Sequence, residues 1–531
     1  MTRTPSEELD ALVIGAGVTG LYQLYCLRQL GLNARIYDAA GGVGGTWYWN
    51  RYPGARLDSE SWSYAYSFSK ELLQEWNWTE NFVGQPELER YLNYVADKFE
   101  LRPHIEIHTR VRSAIFDEGA NRWEVETEEG RRASARHVIA AVGLLSAHYL
   151  PDIPGIHDFA GEAFHTARWP HEPVDFRGKR VGVIGTGSTG VQIIPIVAKE
   201  CAQLTVFQRT PNYCSPLQNS PIDAARMQEI KANYDQIFAT CRANIAGFVH
   251  DYDPRNTLDV APDEREAFYE DIWGRPGFAK WYGNFRDLMT NREANELYCD
   301  FVRRKIRERV VDPVVAEKLC PKDHHYGAKR IPLETDYYEA YNRDNVELVD
   351  LREDPIQRIT PAGIETLSNA FDLDVLIYAT GFDAATGEIT RMDIRGVGGR
   401  TIQEHWAEGP TMYLGLQTHG FPNLFFENGA LFCNYTRCAE ATAEFVSRCI
   451  AYLRDEGYER IEPDPAAEEK WIEHTRLLNS KKLPSSVTNW AEGTNIPGKA
   501  KVGIFYGAGF AAYTRLCREV AAKGYEGFRL A

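Results

Sequence analysis

Ala11-Leu12-Val13-Ile14-Gly15-Ala16-Gly17-Val18-Thr19-Gly20 is the stretch on which the fold turns. Four apolar residues read as a short buried strand, and three glycines spaced G-x-G-x-x-G come next without a gap. A helical pattern runs from Leu21 to Leu30, and a second strand-like run closes at Ile36-Tyr37-Asp38. The same order returns at Val181–Ile184, Gly185-Thr186-Gly187-Ser188-Thr189-Gly190, a helix toward Ala198, and a strand at Leu204–Phe207. Such glycines let the backbone approach a pyrophosphate, and the free N–H groups of the helix start face it with partial positive charge. Two such units predict an α/β fold with two doubly wound (Rossmann-like) dinucleotide-binding domains.

The ends of the second strands tell the two ligands apart. Asp38 stands where a carboxylate accepts hydrogen bonds from an adenosine ribose and repels a 2′-phosphate, which favours FAD or NAD. Arg209, just past Phe207, stands where a guanidinium pairs with a 2′-phosphate, which favours NADP; otherwise it is a solvated surface charge. One chain with both sites reads most simply as a flavoprotein reduced by NADPH, since flavin and nicotinamide must meet for hydride transfer.

Working outward, 531 residues predict several structural units, and 44% hydrophobic with 12% aromatic content supports large cores. Fifty-nine basic against 75 acidic side chains give a net charge of −16, which disfavours nucleic acid and anionic membrane as partners. No apolar run is long enough to span a bilayer. The polar Met1–Asp10 segment offers no secretory core, so the chain reads as cytoplasmic. Ten scattered cysteines contain no C-x-x-C pair and imply neither a disulfide framework nor a zinc site. From about Pro216 to His325 the texture is charge-rich and helical. The expected division is therefore a discontinuous FAD domain (1–150 and 387–531), a discontinuous NADP domain (151–218 and 328–386), and a mostly helical insertion (219–327).

Two further stretches are more specific. Phe159-Ala160-Gly161-Glu162-Ala163-Phe164-His165-Thr166-Ala167-Arg168-Trp169-Pro170 resembles the F-x-G-x-x-x-H-x-x-x-W-P fingerprint of type I Baeyer–Villiger monooxygenases. Gly44-Gly45-Thr46-Trp47, continuing through Tyr52-Pro53-Gly54 to Asp58, looks like the family's second signature. Taken alone, Phe159–Pro170 is a hydrophobic linker whose Phe159, Gly161, His165 and Trp169 pack between domains. The resemblance runs from about Ala11 to Gly527.

That resemblance implies a reaction. NADPH reduces FAD, O₂ as co-substrate adds at flavin C4a, and the peroxyflavin attacks a small-molecule ketone, which rearranges to an ester or lactone. The site must keep a peroxide anionic, and an arginine, with a pKa above about 12, carries charge without yielding a proton. Arg330, in Gly327-Ala328-Lys329-Arg330-Ile331-Pro332, matches the family's active-site arginine. Asp58 matches the carboxylate that positions it, and Lys329 a residue that reaches the 2′-phosphate. Trp490 resembles the tryptophan of a loop that closes over the nicotinamide cofactor. Gly15, Gly17, Gly20, Asp38, Thr46, Trp47, Trp49, Tyr64 and Val111 are assigned to FAD. Gly185, Gly187, Ser188, Thr189, Gly190, Arg209 and Thr210 join Lys329 and Trp490 for NADP.

Phrases such as Tyr282–Leu288 and Asp312–Leu319 look most like family members that take bulky or macrocyclic ketones. One departure stands out: after Asn423–Phe426 the family often continues with Gly-Pro, whereas Glu427-Asn428-Gly429 stands here, which leaves the loop beside the flavin open. Asp323-His324-His325 are adjacent on a loop and do not converge on one ion, so no metal is expected. Rival readings are a flavin monooxygenase acting on amines or thioethers, and a non-catalytic flavin-binding protein. A disulfide reductase is disfavoured, because the one C-x₄-C spacing, Cys433 to Cys438, falls far from either Gly loop in sequence. The assembly expected is a monomer or small homo-oligomer.

Overall fold

The computed structural model describes residues 7–427, 433–483 and 489–531. Ala11, Leu12 and Val13 are fully buried. A strand covered on both faces reads as a continuous apolar run, and each such Val or Leu contributes about 1.5–3 kcal/mol of burial. This strand, Glu7–Ile14, pairs in parallel with Ala34–Tyr37 on one side and Arg132–Ala140 on the other. They lie inside an eight-stranded sheet whose other strands include the antiparallel pair Val111–Asp117 and Arg122–Thr127. Two late segments complete it: Asp393–Arg395 lies beside Val111–Asp117, and Leu424–Phe426 pairs with Val138–Ala140.

The second sheet has five strands, all parallel. Their order is Val346–Asp350, Gln203–Gln208, Arg180–Ile184, Val375–Tyr378 and Glu162–His165. Both sheets are doubly wound around a strand–glycine loop–helix unit, as the duplicated pattern predicts.

The two units are built alike to the level of single glycines. Gly15 has φ +108°, and a Cβ on it would stand 2.6 Å from the Ala141 carbonyl oxygen. Gly185 has φ +109° and would stand 2.5 Å from that of Ala379. Ala141 and Ala379 each come just after the neighbouring parallel strand, so each loop turns tightly over its sheet, where only glycine fits. The helices that open next, Val18–Gln29 and Ser188–Glu200, start at Gly17 and Gly187 with no side-chain cap and no acidic residue in the first turn. Neither helix start carries a capping side chain at the cavity end.

Residues 219–327 form six α-helices and no strand. A long helix, Tyr435–Glu456, lies against Val18–Gln29 and buries Cys438, Ala439, Thr442, Ala443, Val446, Cys449, Ile450 and Leu453, a spacing of three and four that marks one face. No helix among the described residues is long and apolar enough to cross a membrane.

Candidate active site

The carboxyl ends of the parallel strands in both sheets open into one cavity of about 810 Å³. Gly15, Gly17, Asp38, Thr46, Trp47, Trp49, Tyr64 and Val111 line one part, and Gly185, Gly187, Ser188, Thr189, Arg209, Thr210, Lys329 and Trp490 another. Asp58 and Arg330 lie in the same wall. Gly20 and Gly190 do not line it. Each packs against its own loop, on the carbonyl of Gly15 or Gly185, so they let the helix start approach the strand.

On the first side, Asp38 is buried, and its carboxylate accepts from the backbone N–H of Ala16 at 2.5 Å and of Ala40 at 2.6 Å. A carboxylate has about four lone-pair sites, so it ties the loop to its strand and still faces the cavity. Burial pushes its pKa up, against the two backbone N–H groups and the charges of Arg110 and Arg168. Trp47 donates through Nε1 to the Tyr64 hydroxyl at 3.1 Å, which fixes both rings in the wall.

Arg330 and Asp58 form an ion pair, Nη2 to Oδ2, of 2.6 Å. The guanidinium also donates to Ser188 Oγ at 3.1 Å and lies over the Phe278 ring, 5.4 Å from its centre. Burial raises the Asp58 pKa, and the Arg330 charge opposes that rise. The pair therefore presents a permanent cation, anchored from behind by the carboxylate, to the cavity.

On the second side, Arg209 is exposed and Lys329 is half-buried, and neither lies within ion-pair distance of a carboxylate among the described residues. Burial first, and then Arg209, lower the Lys329 ammonium to about 8. Asp323 opposes that fall, yet the lowering prevails, and two cations held together in this way suit a dianionic phosphate.

Trp490 lines the cavity from a short turn, Trp490–Glu492. The segment just beyond it is docked on the loop after Val375–Tyr378: Asn495 Nδ2 donates to the Phe382 carbonyl at 2.8 Å, and Lys499 pairs with Asp383. Phe159, Gly161, His165 and Trp169 do not line the cavity. Trp169 packs on Phe164 and Phe176, and a Cβ on Gly161 would stand 2.6 Å from the Asp374 carbonyl. His165 accepts at Nδ1 from the Ala167 N–H at 3.0 Å, and burial lowers its pKa to about 4, so the ring is neutral.

Sequence reasoning missed several wall residues. Arg168, inside the fingerprint, stacks 4.3 Å over Trp49. Phe248, Phe278 and Tyr282 arrive from the helical stretch, where their aromatic character alone gave no signal of facing a cavity. Glu427 is buried, and desolvation holds its carboxyl well above the carboxylate range; Asn428 and Gly429 lie outside the described residues.

The cysteines require a correction. Cys433 and Cys438, with Cα atoms 6.3 Å apart, both line the cavity. Distance in sequence misled here. Leu424–Phe426 joins the first sheet beside Arg132–Ala140, the neighbour of Glu7–Ile14, and so brings Cys433 and Cys438 round to the first Gly loop. The other eight cysteines do not line it.

A family model described as flavin-binding monooxygenase-like matches residues 10–217. The chain is 48% identical over its whole length to 99% of the 2-oxo-Δ³-4,5,5-trimethylcyclopentenylacetyl-CoA monooxygenase of Pseudomonas putida. A crystal structure of OTEMO in complex with FAD and NADP superposes with a TM-score of 0.96 at 48% identity, covering 99% of this chain and all of that one. This chain belongs to the Baeyer–Villiger monooxygenases. It is a flavoprotein that uses FAD and NADPH to insert one oxygen atom of O₂ beside a ketone carbonyl. Among the relatives of this Baeyer–Villiger monooxygenase is also a phenazine N-monooxygenase of Lysobacter antibioticus, 42% identical over 98% of this chain and 96% of its own. The two uncapped helix starts, the buried Asp38 and the paired cations Arg209 and Lys329 suit the two dinucleotides.

Proposed function

We infer that FAD lies along the Gly15–Gly17, Asp38 and Trp47 side of the cavity, that NADPH lies along the Gly185–Ser188, Arg209 and Lys329 side, and that the ketone reacts where Arg330 faces inward. The observation that carries this reading is the Arg330–Asp58 pair, set between two helix starts built to receive phosphates. Bound FAD, reduced by NADPH, supplies the oxygen chemistry.

The chain's own groups do the rest. Arg330 holds negative charge that develops on oxygen, and because a guanidinium loses its proton only above about pH 12 it does so without giving one up. Asp58 positions Arg330, and Ser188 holds its second nitrogen. Trp490, Phe248, Phe278 and Tyr282 keep water from the reacting face. Phe159, Gly161, His165 and Trp169 couple the two sheets by packing.

The proposed division is an FAD domain of 1–150 with 387–531, an NADP domain of 151–218 with 328–386, and a helical insertion of 219–327. The proposed substrate is a bulky cyclic ketone, supported by the aromatic wall and by the ring named for the Pseudomonas relative. A cytoplasmic monomer or small homo-oligomer, without nucleic-acid partners, completes the reading.

The test couples NADPH consumption to product mass, using yellow protein in air with small, bulky and macrocyclic ketones. A product one oxygen heavier than a bulky ketone, formed in step with NADPH loss, supports the reading. Turnover confined to small ketones removes the substrate proposal. A second reading, oxygenation at nitrogen, is favoured by the phenazine relative. It predicts an N-oxide from a heteroaromatic amine under the same conditions.

A further inference from the structure

Away from the cofactor cavity, two histidines and a buried carboxylate stand together. His405 closes the short helix Ile402–His405, His419 lies ahead of the strand Leu424–Phe426, and Glu468 belongs to the helix Pro465–Asn479. None of the three lines the cavity. One nitrogen of each ring and one carboxylate oxygen all lie within 4.8 Å of one another. Unlike Asp323-His324-His325, which are neighbours on one loop, these side chains converge from three separate segments.

The surroundings hold these donors in place. Glu468 is only 2% exposed. Its Oε1 accepts from the Thr418 hydroxyl at 2.8 Å, and its Oε2 accepts from the backbone N–H of His419 at 3.2 Å and pairs with Nδ1 of the same residue. Thr418 Oγ1 lies 2.7 Å from His405 Nε2, and the two imidazoles meet edge to face with their centres 4.7 Å apart. Hydrogen bonds of this kind orient a set of metal ligands. The other His405 nitrogen, Nδ1, is buried and has no hydrogen-bond partner among the described residues, so this ring has bonding capacity that the protein leaves unused. The charges of Arg400 and Glu462 also reach His419, with opposite signs.

We propose that His405, His419 and Glu468 bind a divalent transition-metal ion of the zinc class. Two imidazoles and one carboxylate suit such an ion, whereas Ca²⁺ and Mg²⁺ take oxygen ligands. Bonds of about 2.0–2.2 Å set neighbouring donors roughly 3.3–3.5 Å apart around a tetrahedral ion. The His419 side chain is 38% exposed, and rotation of its ring closes the set to that spacing. The ion takes the place of the proton that His419 and Glu468 share, and water completes its coordination. The site is structural. Its helix Pro465–Asn479 also carries Trp471, stacked on Tyr506 at 5.0 Å, and Asn479, which donates to the Phe505 carbonyl at 3.0 Å. The ion therefore fastens the support of the segment that runs on from Trp490.

The test uses untagged holoenzyme stripped with EDTA, equilibrated with excess Zn²⁺ and desalted, with zinc counted against protein by elemental mass spectrometry. Wild-type protein is expected to keep one zinc per chain more than the double variant His405→Ala with His419→Ala. Zinc held by cysteines is common to both and cancels in the difference. Glu468→Gln, which keeps the shape of the side chain and removes its charge, is expected to lose the same zinc. Equal zinc in wild type and double variant overturns the proposal, and so does Mg²⁺ retained as well as Zn²⁺. A second measurement needs no variant. Diethyl pyrocarbonate is expected to modify His419 in the stripped protein, and Zn²⁺ to protect it, as read by peptide mass spectrometry. Modification of His419 at the same rate with and without Zn²⁺ overturns the proposal even if the variants fail to fold.

Discussion

Arg330 and Asp58, which belong to distant parts of the chain, meet at 2.6 Å in the wall between the two Gly loops. The second carboxylate oxygen, Oδ1, is buried and has no hydrogen-bond partner among the described residues. Arg330 is the ion-pair partner of Asp58, with Arg56 acting on the carboxylate from farther away, and the pair works as one unit.

Arg330→Ala is expected to bind FAD and to be bleached by NADPH under nitrogen, yet to lose product formation by about 10²–10³-fold, the cost of removing one preorganised charge. Asp58→Ala, which leaves the guanidinium present but loose, is expected to lose about tenfold or more. Stopped-flow reduction and product mass, measured on the same samples, separate the two steps. Normal ester production by Arg330→Ala would end its assignment.

Preference for NADPH over NADH is expected to depend on Arg209 and Lys329. Loss of either charge-assisted contact costs about 1.5–3 kcal/mol, which is roughly a 10–100-fold rise in KM for NADPH, with KM for NADH little changed. Equal kcat/KM for the two cofactors in the wild type contradicts this.

Lys329 also gives the preference a pH dependence. Its ammonium is lowered to about 8 by burial and by Arg209. Below that pH it is charged and ready for the phosphate, whereas above it a proton must be taken up on binding. KM for NADPH is expected to rise above about pH 8, by up to about tenfold per unit, and to stay flat for NADH. Lys329→Met is expected to abolish the slope.

Lys499 and Asp383 pin the segment after Trp490 to the NADP side, together with Asn495 on the Phe382 carbonyl. Asp383→Ala is expected to raise KM for NADPH severalfold and to speed tryptic cleavage between 489 and 503. An unchanged cleavage rate would show that the pair does not hold this segment.

His419 and Glu468 are paired, which raises the imidazole pKa and lowers the carboxyl. The raised His419 contributes stability that is full below its ordinary value near 6.5 and is lost as pH rises through its folded pKa. The lowered Glu468 contributes above its ordinary value near 4.5 and loses that contribution as pH falls through its folded pKa. His419→Ala is expected to lower Tm by roughly 1–3 °C at about pH 5.5, with the gap closing toward about pH 8 in calorimetry.

The sequence by itself determined the two glycine loops, and with them the parallel strand–loop–helix unit of each sheet, two dinucleotides and the sorting of Asp38 from Arg209. Those features are local: strand, turn and helix start succeed one another within about thirty residues, so chain connectivity alone places them. Tertiary structure decided the rest. It set Arg330 on Asp58 and Ser188, and it turned the fingerprint's Trp169 and His165 into packing while Arg168 faced the cavity. It also carried Cys433 and Cys438 to the first loop by pairing Leu424–Phe426 with Val138–Ala140. Strand order in a sheet is a contact between segments far apart in the chain, and no spacing along the sequence records it.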